Sequence, residues 1–436
     1  MGPVFIFLLL AAVCAGLFTG RIEAVSRASV EGAQSAVTLA IGLVGMMAFW
    51  LGMVEVLSRA GLLGGLARAL RPLFRRLFPE IPDGHPALAA MTMNIAANMM
   101  GLVNAATPFG IAAMRQLDRL NTRKGTATDP MCLFLAINTS AVAVFPTGVI
   151  AARAALGSKD PAGIVITTLL ATTVSTLAAV AACLLLARLP LFRSTRPPMT
   201  DEEMEPAPEP EFDAGPEGID ASSPPAWSAP RLSFAALVLA GAVACGIWGF
   251  GQMARSGLAA HEFRIALSAA VLPAIILVVV LAGWARKVDV YAAVVDGGRE
   301  GFQVALRIIP YMVAILVGVG MFRASGMLDA VVAAVDPLTR AISLPAEALP
   351  MALLRPLSGS GAYAVMSEIM QTHGPDSFIG YLVSTMQGST ETTFYVLAVY
   401  GGEVSLRRSR HAIPACLVGD LFGVLGALLA CRWWLG

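Results

Sequence analysis

Nine apolar stretches recur along the chain, at 4–20, 33–57, 129–153, 162–188, 232–252, 264–285, 302–323, 378–400 and 412–434. A hydrocarbon core about 30 Å thick takes roughly 20 helical residues to cross, and within it every backbone N–H and C=O must find a partner in the protein. The fold class that follows is an all-α polytopic membrane protein. Composition agrees: 57% of the 436 residues are hydrophobic and 14% are charged, where a soluble domain has about a quarter charged. A net charge of +1 provides no broad basic surface, so the lipid bilayer is an expected partner and nucleic acid is not.

The first stretch, MGPVFIFLLLAAVCAGLFTG, has no Lys or Arg ahead of its apolar run. A signal peptide needs that positive flank, so the segment reads as a retained span. The six cysteines are scattered through apolar segments and the four histidines are isolated. Neither set has metal-ligand spacing, and no metal site is expected. No GxxxxGK[ST] loop is present and SGSG at 358–361 is not a GxSxG elbow, so neither ATP hydrolysis nor any other enzymatic activity is expected.

Residues 191–230 interrupt the pattern. TDEEMEPAPEPEFDAGPEGIDASSPP is acidic and Pro-rich, too poor in apolar surface to fold, and reads as a disordered linker. The expected organisation is a membrane half at 1–190, the linker at 191–230 and a second membrane half at 231–436. The halves repeat. Residues 30–73 align with 295–338 without a gap, so that Gly32, Gly61 and Pro72 meet Gly297, Gly326 and Pro337. A second block sets 129–152 against 376–399, beginning at Asp129 and Asp376. Each half then reads as a span, an amphipathic arm, a short broken segment, a broken span and a final span.

Charge sets the expected orientation. Arg68, Arg71, Arg75 and Arg76 precede the broken segment 85–116 of the first half, and Arg115, Arg119, Arg123 and Lys124 follow it. Both flanks should be cytoplasmic, and the segment is too short for two crossings, so it should be a re-entrant hairpin. In the second half the bias flips: Asp336 stands where Arg71 did, and the basic run EVSLRRSR comes after the broken span. The halves should be inverted-topology repeats, each with a re-entrant hairpin and a broken transmembrane helix, with the N-terminus and linker cytoplasmic. Inverted repeats with interrupted helices are the architecture of secondary transporters.

MNIAANMMGLVNAATPFGIAAMRQLDRLN, with FLAINTSAVAVFPTGVIAAR, resembles spore maturation protein A. RPLSGSGAYAVMSEIM, with YLVSTMQGSTETTFYVLAVYGG, resembles spore maturation protein B. The chain looks like the two fused, in the group that shares the nucleoside recognition or Gate domain. The resemblance implies opposed hairpins around a central site, in a bacterial inner membrane. It supplies no substrate.

The candidate substrate-binding residues are those whose polarity is costly in hydrocarbon. The first hairpin offers Asn94, Asn98, Asn104 and Thr107, placed around its turn; hydrogen bonding between helices is the plainer reading. The first broken span offers Asn138, Thr139 and Ser140 ahead of Pro146, which frees a carbonyl that these side chains can satisfy. The second hairpin offers Ser358 and Ser360, at a tip that is either an anion-binding nest or a tight turn. The second broken span offers Gln387, Ser389, Thr390, Glu391 and Thr392, with Thr393 next to them at mid-span. Glu391 stands out, since an ionisable group at bilayer depth is a functional candidate by default. The alternative is a structural pair with Arg307 or Arg355. Asp420 and Glu55 are weaker candidates of the same kind. No cofactor is expected beyond a coupling cation or proton at Glu391. These residues point to a secondary transporter or facilitator of a small polar or anionic solute, working by alternating access, with self-association open. The competing reading is a non-transporting membrane scaffold for spore or envelope morphogenesis.

Overall fold

The structure is a computed structural model, and it describes residues 2–82, 84–101, 103–140, 142–144, 146–199, 228–241, 260–327, 330, 333–334 and 343–435. Most of the expected linker, 200–227, lies outside the described residues, as does the later part of the expected span 232–252. The described residues form helices, with no strand and only two isolated bridges.

In the first half the helices are α1 (Gly2–Phe18), α2 (Ile22–Arg59), α3 (Leu62–Leu77), α4 (Pro86–Met99), α5 (Val103–Arg119), α6 (Asp129–Thr139), α7 (Thr147–Ala155), α8 (Ile164–Arg188) and the short α9 (Pro190–Arg193). The second half has α10 (Ala229–Gly241), α11 (Ala260–Ala285), α12 (Val290–Ala324), α13 (Leu349–Leu354), α14 (Gly359–His373), α15 (Phe378–Ser389), α16 (Thr393–Glu403) and α17 (Ala412–Leu435). Among the described residues, α8 and α17 are each long and apolar enough to cross a membrane unaided. The stretches 129–153 and 378–400 are instead pairs of short helices, α6/α7 and α15/α16, as broken spans should be.

The chain turns by 68° between the end of α2 and α3. Gly61 makes this bend with φ 67°, and its aligned partner Gly326 has φ 82°. Both conformations are left-handed and suit a residue without Cβ. The arm α3 is amphipathic: Leu63, Ala67 and Phe74 are buried while Arg68, Arg71, Arg75 and Arg76 are exposed. The first broken segment is a helical hairpin, α4 and α5, turning at Gly101. The second is α13 and α14, joined through Arg355–Ser358.

Corresponding helices of the two halves pack against one another in opposite directions. A Cβ at Gly32, early in α2, would stand 2.9 Å from the Leu316 carbonyl oxygen late in α12. A Cβ at Gly297, early in α12, would stand 2.5 Å from that of Leu51 late in α2. In the alignment Gly32 matches Gly297 and Leu51 matches Leu316, so each contact is the mirror of the other. Small residues let the two backbones approach this closely. The final spans also meet antiparallel: a Cβ at Gly419 would be 3.0 Å from Ala179 Cβ, and one at Gly426 would be 3.2 Å from Ala171 Cα.

Two arginines bind the ends of the bundle. At one end Arg410, just past the second broken span, donates to Asp129 Oδ1 at 2.6 Å, where the first broken span begins. It also holds the Phe192 carbonyl at 2.6 Å. At the other end Arg153, in the last turns of α7, donates to Asp376 Oδ1 at 2.9 Å and to the Pro375 carbonyl at 2.6 Å. Its guanidinium lies 4.2 Å from the centroid of the Tyr381 ring, and the Tyr381 hydroxyl reaches Asp160 at 2.8 Å. The start of each broken helix therefore lies beside the end of the other.

Candidate functional site

A helix that stops inside a membrane leaves backbone groups unpaired at both cut ends. Here the two cuts satisfy one another. The Glu391 N–H, between α15 and α16, donates to the Thr139 carbonyl at the end of α6, at 2.7 Å. Each cut is also bonded to the turn of its own hairpin. The Val144 N–H reaches the Met99 carbonyl at 3.0 Å, and the Phe394 N–H reaches the Pro356 carbonyl at 3.0 Å. Two breaks and two hairpin turns thus form one junction in the middle of the bundle.

In the first half the candidate side chains bind mainly to this framework. Asn98 Nδ2 donates to Asn138 Oδ1 at 3.1 Å, joining the hairpin to the broken helix. Asn138 Nδ2 returns to the Phe134 carbonyl. The Thr139 and Ser140 hydroxyls both bond to the Ala136 carbonyl, and the Ser140 carbonyl accepts from the Thr176 hydroxyl of α8. Asn94 sits deeper than the turn. Its Nδ2 bridges the hairpin arms to the Ala106 carbonyl at 2.7 Å and reaches the Tyr400 hydroxyl of the other half at 3.1 Å. Its Oδ1 is buried without a partner. Thr107 bonds to the same Tyr400 hydroxyl. Asn104 lies in α5, and its side chain is outside the described set.

In the second half Ser358 caps α14, its hydroxyl accepting from the Gly361 N–H at 3.0 Å. Ser360 follows in the first helical turn and is half-buried. Ser389 bonds back to the Met386 carbonyl, while Gln387 Oε1 is buried without a partner. Arg355 Nη1 donates to Thr392 Oγ1 at 3.0 Å, and its guanidinium also faces Glu391 and Asp420. It forms an ion pair with neither among the described residues. The Thr393 hydroxyl donates to Asp420 Oδ2 at 2.7 Å, and the Thr390 hydroxyl faces the same carboxylate. Glu391 is half-buried in the gap between the helices; the side chain of Arg307, its other suggested partner, is outside the described set.

Sequence reasoning missed Tyr400, saw Thr393 in the broken span without placing it among the binding residues, and ranked Arg355 and Asp420 low. Asp420 sits in an unbroken helix with no polar neighbour in sequence, so only the fold brings it to the break. Arg355 was visible, as a cation immediately before the Pro-Leu-Ser-Gly turn. Among the described residues, no group of three or more His, Cys, Asp or Glu side chains could hold a metal ion.

Paired helical hairpins, broken helices joined at their breaks and apolar flanking helices define a multi-pass membrane protein with a polar junction at its centre. The model of the Gate family, described as nucleoside recognition, matches residues 40–186 and 305–407, more than half of the chain, and the chain belongs to that family. It is 45% identical to spore maturation protein B of Bacillus subtilis (strain 168) over 163 residues, 37% of this chain and 92% of that protein. It is 43% identical to spore maturation protein A of the same organism over 161 residues, 37% of this chain and 82% of that protein. No solved structure matches the chain.

Proposed function

We propose that the protein is a secondary transporter or facilitator of a small polar or anionic solute, with access alternating between the two hairpin turns. The observation that carries this reading is the junction itself: two breaks bonded at Glu391 and Thr139, each also tied to its own hairpin turn. Irregular backbone at membrane depth is tolerated where it is buried in protein or lines a cavity, and paired broken helices are where transporters hold their solutes. The antiparallel packing of α2 on α12 and of α8 on α17 supports inverted repeats. So does the basic run 407–410, which meets the loop before α6 at one end of the bundle. In this reading residues 1–190 are the A-like half, 231–436 the B-like half and 191–230 a tether, with the N-terminus and tether cytoplasmic.

The unpartnered Asn94 Oδ1 and Gln387 Oε1 are acceptors for the solute's donors, and Arg355 gives it an anionic preference. Asn98, Asn104, Thr107, Asn138, Thr139, Ser140, Ser358, Ser360, Ser389, Thr390, Glu391 and Thr392 complete the lining. The names of the relatives carry a role in spore maturation to this chain as part of the same proposal, which extends it to envelope physiology in a bacterial inner membrane. Thermal-shift screening of the purified chain against metabolites, followed by uptake of each hit into proteoliposomes, tests it. A solute that stabilises the protein and is taken up supports the proposal. A panel with no stabilising solute and no uptake favours the scaffold reading.

A further inference from the structure

The second break holds more negative charge than positive. Arg355 is 5% exposed and faces two carboxylates, Glu391 in the break and Asp420 in α17. One guanidinium against two carboxylates leaves one negative charge without a counterpart. The deficit falls on Asp420, which is 6% exposed. Its Oδ2 accepts from Thr393, but its Oδ1 has no hydrogen-bond partner. A buried carboxylate with a bare oxygen is costly, and at bilayer depth such groups are paired or bind ions.

The surroundings supply oxygen ligands. The helix α15 stops at Ser389, so carbonyls of its last turn lack helical N–H partners, and the Glu391 N–H is turned away to Thr139. The Thr390 and Thr393 hydroxyls stand at the carboxylate. The last span is pressed onto this break because position 423 is glycine: a Cβ there would stand 2.6 Å from Thr390 Cγ2 and 3.3 Å from Ser389 Oγ. We propose that Asp420, together with the Thr390 and Thr393 hydroxyls, binds a single monovalent cation, a proton or a sodium ion, at Oδ1. Asp420 lies outside the residues matched by the family model. Because both hydroxyls belong to the break, a cation held here favours the present arrangement of residues 390–393, and the arrangement in turn favours the cation. The proposal rests on the transport reading only for what the cation drives; its binding needs no solute.

The charged and titratable groups facing Asp420 are Arg355 from the hairpin turn, Glu391 beyond it in the break, and Cys416 on α17. The test therefore separates them. The full chain in detergent is melted in sodium chloride against choline chloride at matched ionic strength, and then in choline chloride over a pH series. The wild type should gain Tm with cation concentration, as mass action requires. A rise with sodium at fixed pH identifies the metal ion, and a rise confined to falling pH identifies the proton. Either rise should vanish in Asp420→Asn, weaken but persist in Glu391→Gln, which frees Arg355 to face Asp420 alone, and be unchanged in Cys416→Ala. Should Asp420→Asn fail to fold, Thr393→Val keeps the shape: it should weaken an apparent sodium affinity about tenfold by losing one oxygen ligand, and tighten proton binding by losing the donor that stabilises the charged carboxylate. The site is overturned if the wild type responds to neither cation, if the response survives Asp420→Asn or is unchanged in Thr393→Val, or if Glu391→Gln abolishes it. Failure of uptake with the cation response intact would overturn the transport reading alone.

Discussion

The two breaks occupy matching helices and are built from different chemistry. The first, between α6 and α7, is lined by Asn138, Thr139, Ser140 and Pro146, and its side-chain bonds go to nearby carbonyls and carboxamides. The second, between α15 and α16, gathers Arg355, Glu391, Thr390, Thr392, Thr393 and Asp420. Neutral hydroxyls and amides are enough to satisfy a cut helix, as the first break demonstrates. The charges of the second are additional to that need, so the asymmetry separates what holds the frame from what the frame holds.

The largest expected effect tests whether the two breaks belong to opposed frames at all. Single cysteines replacing Arg123 and His373, exposed residues ahead of the first and the second broken span, in a chain without native cysteines, should be alkylated from opposite sides of the membrane. Labelling of both from one side would end the comparison.

Next in size, Arg355→Ala should destabilise the protein by about 1.5–3 kcal/mol, since it removes the charged donor to Thr392 and the cation facing two carboxylates. Asn138→Ala in the first break should cost only about 1 kcal/mol. Equal losses in melts of the two variants would show that the charge asymmetry has no energetic weight.

Gly423→Ala should cost about 1–3 kcal/mol by overpacking the last span on Thr390. At Gly148, where a Cβ would meet nothing within 4 Å, the same change should be close to neutral. Smallest in stability, and sharpest in function, Glu391→Gln should leave the melting of the solute-free protein unchanged while abolishing stabilisation or uptake by the solute. Asn138→Ala and Ser360→Ala should weaken solute affinity less. Collapse of solute-free Glu391→Gln would instead mark Glu391 as half of a structural charge pair.

Much of this frame was legible because broken membrane helices announce themselves. Pro146, the NTS before it, Gly388 and the mid-span Glu391 each contradict a continuous apolar helix, and the structure ends α6 at Thr139 and α15 at Ser389. The bend at Gly61 and the basic face of α3 were visible for the same local reason. Contacts between the halves were not. Arg153 and Arg410 look in sequence like ordinary flanking cations, and nothing local says that each holds the aspartate that begins the opposite broken helix. The Glu391 carboxylate drew attention, yet the bond that locates this residue is made by its backbone N–H, which every residue except proline offers. Asn94 was placed at the hairpin turn by spacing alone, whereas its position opposite Tyr400 depends on the second half.

Arg153 has a consequence for biogenesis. It is wholly buried, and Pro375, Asp376, Tyr381 and Ser384, which surround its guanidinium, all arrive with later-translated sequence. A first half made alone would leave this cation at an unfinished face, with Ser158 and Asp160 as its local partners. Such an orphan is a natural substrate for membrane quality control. One polypeptide carrying both halves removes the problem of matched dosage, since every ribosome that makes the arginine goes on to make its aspartate.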